Sequence, residues 1–165
     1  MRVAVLGAGS WGTTLAILLG YNTHEVILWS HRADHADELR GHRENQKLLP
    51  GIRIPDEIAI TSDLENAVST AELIVAAIPT QFVRSCAVSL TSRNFRDTII
   101  VNVAKGIEND SLMTVSQVLL DVLPSIHQKN IVTLSGPSFA EEVARQVPTA
   151  VVAASTALAT AKLVQ

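Results

Sequence analysis

Cysteine is almost missing from this sequence: Cys86 is the one thiol among 165 residues. A lone cysteine closes no intrachain disulfide, so the fold rests on buried apolar surface and needs no oxidising compartment. A cytoplasmic setting is the expectation. An excess of one charge is missing too. Thirteen Lys and Arg stand against 16 Asp and Glu, a formal net charge of −3 with no long basic run. That leaves no electrostatic footprint for a duplex or an anionic membrane, and nucleic acid is not an expected partner. Unbroken hydrophobic runs are also lacking. Residues 3–23 carry no charge, yet Gly7, Gly9, Gly12 and Gly20, with Ser10, Thr13, Thr14 and Asn22, interrupt them. A membrane span wants about 18 or more predominantly apolar residues, so neither a span nor a cleaved signal is expected. What is present is 47% apolar and 18% charged residues, the balance of an ordinary folded domain and not of a disordered chain.

The length suits one domain, and the sequence divides into short β-branched runs alternating with helical patterns. Strands are predicted at 2–6, 25–29, 58–61, 73–77, 98–102, 131–134 and 149–153, and helices at 10–20, 32–40, 63–69, 81–90, 111–123 and 139–145. Several of the strands are apolar throughout, as in a parallel sheet covered on both faces. The predicted class is therefore α/β, a Rossmann-like, doubly wound, mainly parallel sheet with helices on both faces. Capping boxes are predicted at Ser62-Asp63-Leu64-Glu65 and Ser138-Phe139-Ala140-Glu141. Residues 41–57, with Pro50-Gly51 and Pro55, read as one long irregular stretch, either a surface excursion or a functional loop. Residues 156–165 read as a helix with no terminating glycine or proline, so the natural polypeptide is expected to continue.

The chemistry begins at residue 7. Gly7-Ala8-Gly9-Ser10-Trp11-Gly12 follows an apolar strand and opens a helix, the context that gives a G-x-G-x-x-G pattern its meaning. Gly7 suits a tight turn, Gly9 lets the backbone approach a pyrophosphate, and Gly12 lets helix and strand pack closely. The amides at the helix start then face the anion. The second strand should end at the adenosine ribose, where an NAD-preferring site places a carboxylate. This chain has Ser30-His31-Arg32 there. A guanidinium pairs with a 2′-phosphate, so NADP(H) is preferred over NAD(H) as the expected cofactor. A metal site at His31, His35 and His42 lacks ligand spacing that would support it, and no metal is expected. Pro79-Thr80 belongs at the same sheet edge, with Thr80 a serviceable N-cap, and Cys86 reads as a small buried hydrophobe beside Phe82, Val83 and Leu90.

Two further segments are more specific. Asn102-Val103-Ala104-Lys105-Gly106-Ile107-Glu108 follows the fifth strand, and Ser135-Gly136-Pro137-Ser138-Phe139-Ala140-Glu141-Glu142 follows the sixth. With the glycine loop, Trp29-Ser30-His31-Arg32 and Leu49-Pro50-Gly51 before Ile54-Pro55, they closely resemble the NAD(P)-dependent glycerol-3-phosphate dehydrogenases of bacterial type. The resemblance runs along the whole chain, residues 1–165 being the cofactor-binding domain, and covers about half of that family's usual length. It implies that Ser10, Trp11, His31 and Arg32 contact the cofactor and that Lys105 touches both cofactor and substrate. It also implies that Gly136 and Ser138 line the substrate side and Ala140 the cofactor side.

Family members reduce dihydroxyacetone phosphate to sn-glycerol 3-phosphate, the backbone precursor of phospholipids. Their proton-donating lysine and phosphate ligands belong to a helical C-terminal domain that these 165 residues do not include, so the isolated chain is expected to be inactive. The resemblance leaves a homodimer open for the full-length enzyme. The chemistry of Lys105 agrees with it, since a ketone accepting hydride gains negative charge on oxygen, which a cation at a strand end stabilises. Ser138 is expected to cap its helix as well as meet substrate. A related hydroxyacid or sugar dehydrogenase, or a non-catalytic NADP(H)-binding module, stand as alternatives.

Overall fold

A computed structural model describes residues Met1–Gln165. The first apolar run becomes β1 (Arg2–Leu6), which sits inside a seven-stranded sheet. Its residues alternate between two cores, as period-2 geometry requires. Val3 and Val5 face Leu15, Ile17 and Leu39 of α1 (Ser10–Tyr21) and α2 (Ala33–His42). Ala4 and Leu6 face a second core, built with α3 (Leu64–Val68), α4 (Thr80–Val88) and α5 (Val115–Val122). Burial on both faces explains why these strands read as unbroken apolar runs.

On one side of β1 lie β2 (Glu25–Trp29) and then β5 (Ala59–Thr61), both parallel. On the other side follow β6 (Leu73–Ala76), β7 (Ile99–Asn102) and β8 (Ile131–Ser135), also parallel, and β9 (Val152–Ala154), antiparallel to β8. The order β5-β2-β1-β6-β7-β8-β9 reverses direction between β1 and β6. Chain segments leaving the carboxyl ends of these two strands diverge to opposite faces, and a crevice opens between them. α6 (Ala140–Ala144) and α7 (Leu158–Val164) complete the face that carries α1. No helix is long and apolar enough to cross a membrane.

Four expectations need correction. The excursion at 41–57 is ordered: β3 (Glu44–Asn45) and β4 (Leu49–Arg53) pair as an antiparallel hairpin with Leu49 and Ile54 fully buried. The Asn45 side-chain amide donates to the Ala8 carbonyl and to Thr13 Oγ1, both at 3.0 Å, which fastens the hairpin to the glycine loop. The helix expected from 111 begins at Val115, because Leu112 adopts a left-handed φ of 57°. Its cap is a reciprocal box between Thr114 and Gln117. The two predicted boxes are displaced or missing: Asp63, not Ser62, caps α3, and α6 starts after Phe139 with no side-chain cap, so Ser138 does not cap it. Thr80 likewise lies inside α4, whose N-cap position is Pro79. Its hydroxyl is free for a tertiary bond.

Candidate functional site

The crevice is a cleft of about 1000 Å³ at the carboxyl ends of β1, β2, β6 and β7. Its floor is the turn from β1 into α1, where the three glycines have three different reasons to be there. Gly7 has φ +113°, and a Cβ on it would stand 2.4 Å from the Ala77 carbonyl oxygen of the neighbouring chain segment. A Cβ on Gly12 would stand 1.8 Å from the Gly7 oxygen, inside the turn itself. A Cβ on Gly9 would meet nothing within 4 Å, so its bare backbone faces open cleft. Gly9 is the N-cap of the 12-residue α1, whose first turn has no acidic residue. Free amides and the positive end of the helix dipole therefore point at an unobstructed space suited to a pyrophosphate.

Of the residues singled out from sequence, Gly7, Gly9, Trp11, His31, Arg32 and Lys105 line this one cleft. Ser10 and Gly12 belong to the first turn of α1 beneath it. Gly136, Ser138 and Ala140 lie beyond its walls. Ala140 packs toward α1, its carbonyl accepting from Thr14 Oγ1 at 3.1 Å. Gly136 is required by packing, since a Cβ there would come within 2.6 Å of the Ala150 oxygen. It still reaches the site through its carbonyl, which accepts from Lys105 Nζ at 3.3 Å. The Ser138 amide donates to that same carbonyl at 3.0 Å.

The cleft is also lined by residues that carry no site signal in the sequence, Phe82 and Cys86 among them, which read there as core. Phe82, Ser85, Cys86 and Ser89 form one wall, spaced as a single helical face. Val83, Ala87 and Leu90 form the buried face of the same segment. Phe82 is therefore not core: it is 61% exposed. Cys86 lies between the two faces, half-buried, and burial pushes its thiol up to about 11, which keeps it protonated and unreactive at neutral pH. At the opposite end stand His35, Glu38, Lys47 and Leu48, from α2 and the β3–β4 hairpin. His35 Nδ1 lies 3.3 Å from Ser30 Oγ, a use for the imidazole that needs no metal. Arg32 is paired with Asp34, and that hydrogen bond draws the Asp34 carboxyl down to about 2.

The loop carrying Lys105 is held by α4. Thr80 Oγ1 donates to the Lys105 carbonyl at 2.8 Å, and Gln81 Nε2 donates to the Ile107 carbonyl at 2.9 Å. One turn further, Arg84 binds the buried Glu108 through Nε at 3.0 Å and Nη2 at 2.9 Å, and reaches Asp121 of α5 through Nη1 at 2.6 Å. Ser111 adds a hydroxyl to Glu108. Hydrogen bonding to Arg84, and next to Ser111, holds the Glu108 carboxyl below its ordinary value of 4.5. A depressed folded-state value contributes stability that is present above the unfolded value and lost as pH falls through the folded one. Urea midpoints measured from about pH 5 to about pH 3 should therefore drop more steeply for the wild type than for Glu108→Gln. Parallel profiles would show that the pair contributes nothing to the acid limb.

A glycine turn at the switch point of a parallel sheet, under an uncapped helix N-terminus and an open cleft, defines a dinucleotide-binding protein of the doubly wound α/β class. Comparison with known proteins narrows the class. The family model described as NAD-dependent glycerol-3-phosphate dehydrogenase N-terminus matches residues 2–161, and the chain belongs to that family. It is 48% identical over 165 residues to a glycerol-3-phosphate dehydrogenase [NAD(P)+] of Chlorobium phaeobacteroides and 49% identical to that of Chlorobium luteolum. Each match takes in 100% of this chain and 50% of the relative. A crystal structure of glycerol-3-phosphate dehydrogenase from Coxiella burnetii superposes with a TM-score of 0.91 at 31% identity, covering 99% of this chain and 49% of that one. The chain thus spans about half the length of the relatives it matches.

Proposed function

We propose that this chain is the cofactor-binding half of an oxidoreductase that reduces dihydroxyacetone phosphate to sn-glycerol 3-phosphate with NAD(P)H, supplying phospholipid synthesis. One observation carries the reading: a single cleft joins the glycine turn to Lys105, which lies next to the Gly136 carbonyl. The residues present fit a dinucleotide, because Gly9 leaves the approach open and no carboxylate stands in the first turn of α1. Bound there, the nicotinamide supplies hydride. The chain's own part is to grip the pyrophosphate at Gly7–Gly9 and the start of α1, with Ser10 and Trp11, and to seat the adenosine end near His31 and Arg32. Ala140 backs the cofactor side and Ser138 the substrate side. Lys105 Nζ donates toward the ketone oxygen as negative charge gathers on it, an interaction stronger in the transition state than in the ground state. The alcohol proton comes from a lysine in the remaining half of the enzyme.

NADP(H) is the preferred cofactor in this reading. The Arg32–Asp34 pair is exposed on both sides, at 59% of each side chain, and exposed pairs are weak. A phosphate dianion can therefore draw the guanidinium away. Calorimetry on Arg32→Ala should show NADPH weakened about tenfold or more beyond NADH, the worth of one charge-assisted hydrogen bond. Equal losses for both cofactors would remove Arg32 from 2′-phosphate recognition. The reading extends to a cytoplasmic setting, which the lone unreactive Cys86 suits, and, through the resemblance alone, to a homodimer of the full-length chain.

A further inference from the structure

The basic groups of the cleft are unevenly spread. Lys105 stands alone at one end, while Arg32, Lys47, His31 and His35 gather at the other around Glu38, the only carboxylate in the lining. Lys47 occupies the turn between β3 and β4, and its Nζ lies 3.0 Å from both Glu38 oxygens. Its side chain is 70% exposed and that of Glu38 45%. The turn itself is well placed: Leu49 is fully buried beside it, and Asn45 ties β3 to the glycine loop. Lys47 is thus an exposed ammonium on a fixed base, in the same cleft lining as Arg32.

We propose that Lys47 is a specificity-determining residue that joins Arg32 in recognising the 2′-phosphate of NADP(H), and that Glu38 is the partner it leaves to do so. The inference deepens the cofactor reading above and rests on it. A neutral 2′-hydroxyl leaves the Lys47–Glu38 pair undisturbed. A 2′-phosphate adds about two negative charges beside the pair, attracting the ammonium and repelling the carboxylate. Because the pair is exposed, little is lost when its ammonium changes partner. Glu38 then sets an upper limit on NADP(H) preference, since its charge stays within the same wall.

A latch between α2 and the hairpin is the structural alternative, and it makes a different forecast: both cofactors change together. Titrations of the 165-residue chain with NADPH and NADH, and with 2′,5′-ADP and 5′-AMP as half-cofactors, separate the two. Lys47→Met should lower the NADPH-over-NADH preference about tenfold, and Lys47→Arg should restore most of it. Glu38→Gln should raise the preference about threefold or more, and 2′,5′-ADP should follow NADPH throughout. Lys129→Met, at the amino end of β8, serves as the charge control and should leave the ratio unchanged. Melting temperatures confirm that each variant is folded. An unchanged ratio in both Lys47→Met and Glu38→Gln overturns the proposal, and if Arg32→Ala still shifts that ratio the cofactor reading survives without Lys47. A wild-type chain that binds neither dinucleotide overturns both.

Discussion

Gly12→Ala is expected to lower the unfolding free energy by about 3 kcal/mol or more and to abolish measurable NADPH binding. The added Cβ would lie 1.8 Å from the Gly7 carbonyl oxygen and 3.1 Å from the Ala77 Cβ. The Gly7 oxygen cannot yield independently, because its own residue sits at φ +113° against the Ala77 carbonyl, and its amide is bonded to the Trp29 carbonyl at 3.0 Å. Relief therefore requires α1 to lift away from the turn, which separates Leu15 and Ile17 from the core and turns the helix amides off the cleft. Gly9→Ala is the informative contrast. Its Cβ meets no protein atom within 4 Å, so stability should stay within about 0.5–1 kcal/mol while NADPH affinity falls, the methyl occupying the space that a pyrophosphate needs. Urea unfolding and nicotinamide fluorescence on the two variants give the test. A Gly12→Ala chain with a wild-type midpoint would mean that the close packing has slack the geometry does not show.

That contrast also marks how far the sequence could be read. The β1–α1 turn was legible because backbone geometry there excludes a Cβ at Gly7 and Gly12 and the open approach to the cleft favours none at Gly9, which leaves glycines at fixed offsets. The central strands were legible because burial on both faces demands continuous apolar runs. The β3–β4 hairpin was not, for physical reasons: β3 is two residues long, too short for any period to register, and Pro50-Gly51 inside β4 imitates a turn. Proline is tolerated there because the pair is an isolated ribbon with free edges. Helix starts are ambiguous in sequence where two candidate caps adjoin, as at Ser62 and Asp63, or where apolar residues precede the cap, as Leu112 and Met113 precede Thr114.

Within the site, residues fixed by local geometry were easier to find than those brought in by tertiary approach. Gly7 and Gly9 announce themselves. Gly136 is glycine because the chain at Ala150 and Val151 passes against it, a contact that no local pattern encodes. α4 and the turn that follows it present two faces at helical spacing, one to the core through Val83, Ala87 and Leu90 and one to the cleft through Phe82, Ser85 and Ser89. Hydrophobicity alone merges Phe82 with the first face. Lys47 gave no local signal, since its place beside α2 depends on a hairpin whose existence was itself hidden.

Lys105→Met in the full-length enzyme should lower kcat and kcat/KM by about 10²-fold or more, the cost of losing one preorganised charged donor. The forecast rests on how firmly the lysine is aimed. Its carbonyl is fixed by Thr80 Oγ1, the following Gly106 turns the chain at φ +103°, and the ammonium reaches the Gly136 carbonyl. The side chain itself is exposed to the cleft, so removing its charge leaves no buried partner stranded and should move the melting temperature little. Cofactor affinity should fall much less than turnover, because the pyrophosphate turn and Arg32 are built on β1 and β2 while Lys105 follows β7. A solvated lysine without a role predicts kinetics within about twofold of wild type and stability within about 0.5 kcal/mol. Steady-state kinetics with dihydroxyacetone phosphate, beside a melting curve and an NADPH titration, distinguish the two. A folded Lys105→Met enzyme with unchanged kcat would show that the charge developing on the ketone oxygen in the proposed reaction is met elsewhere, and would remove Lys105 from the site.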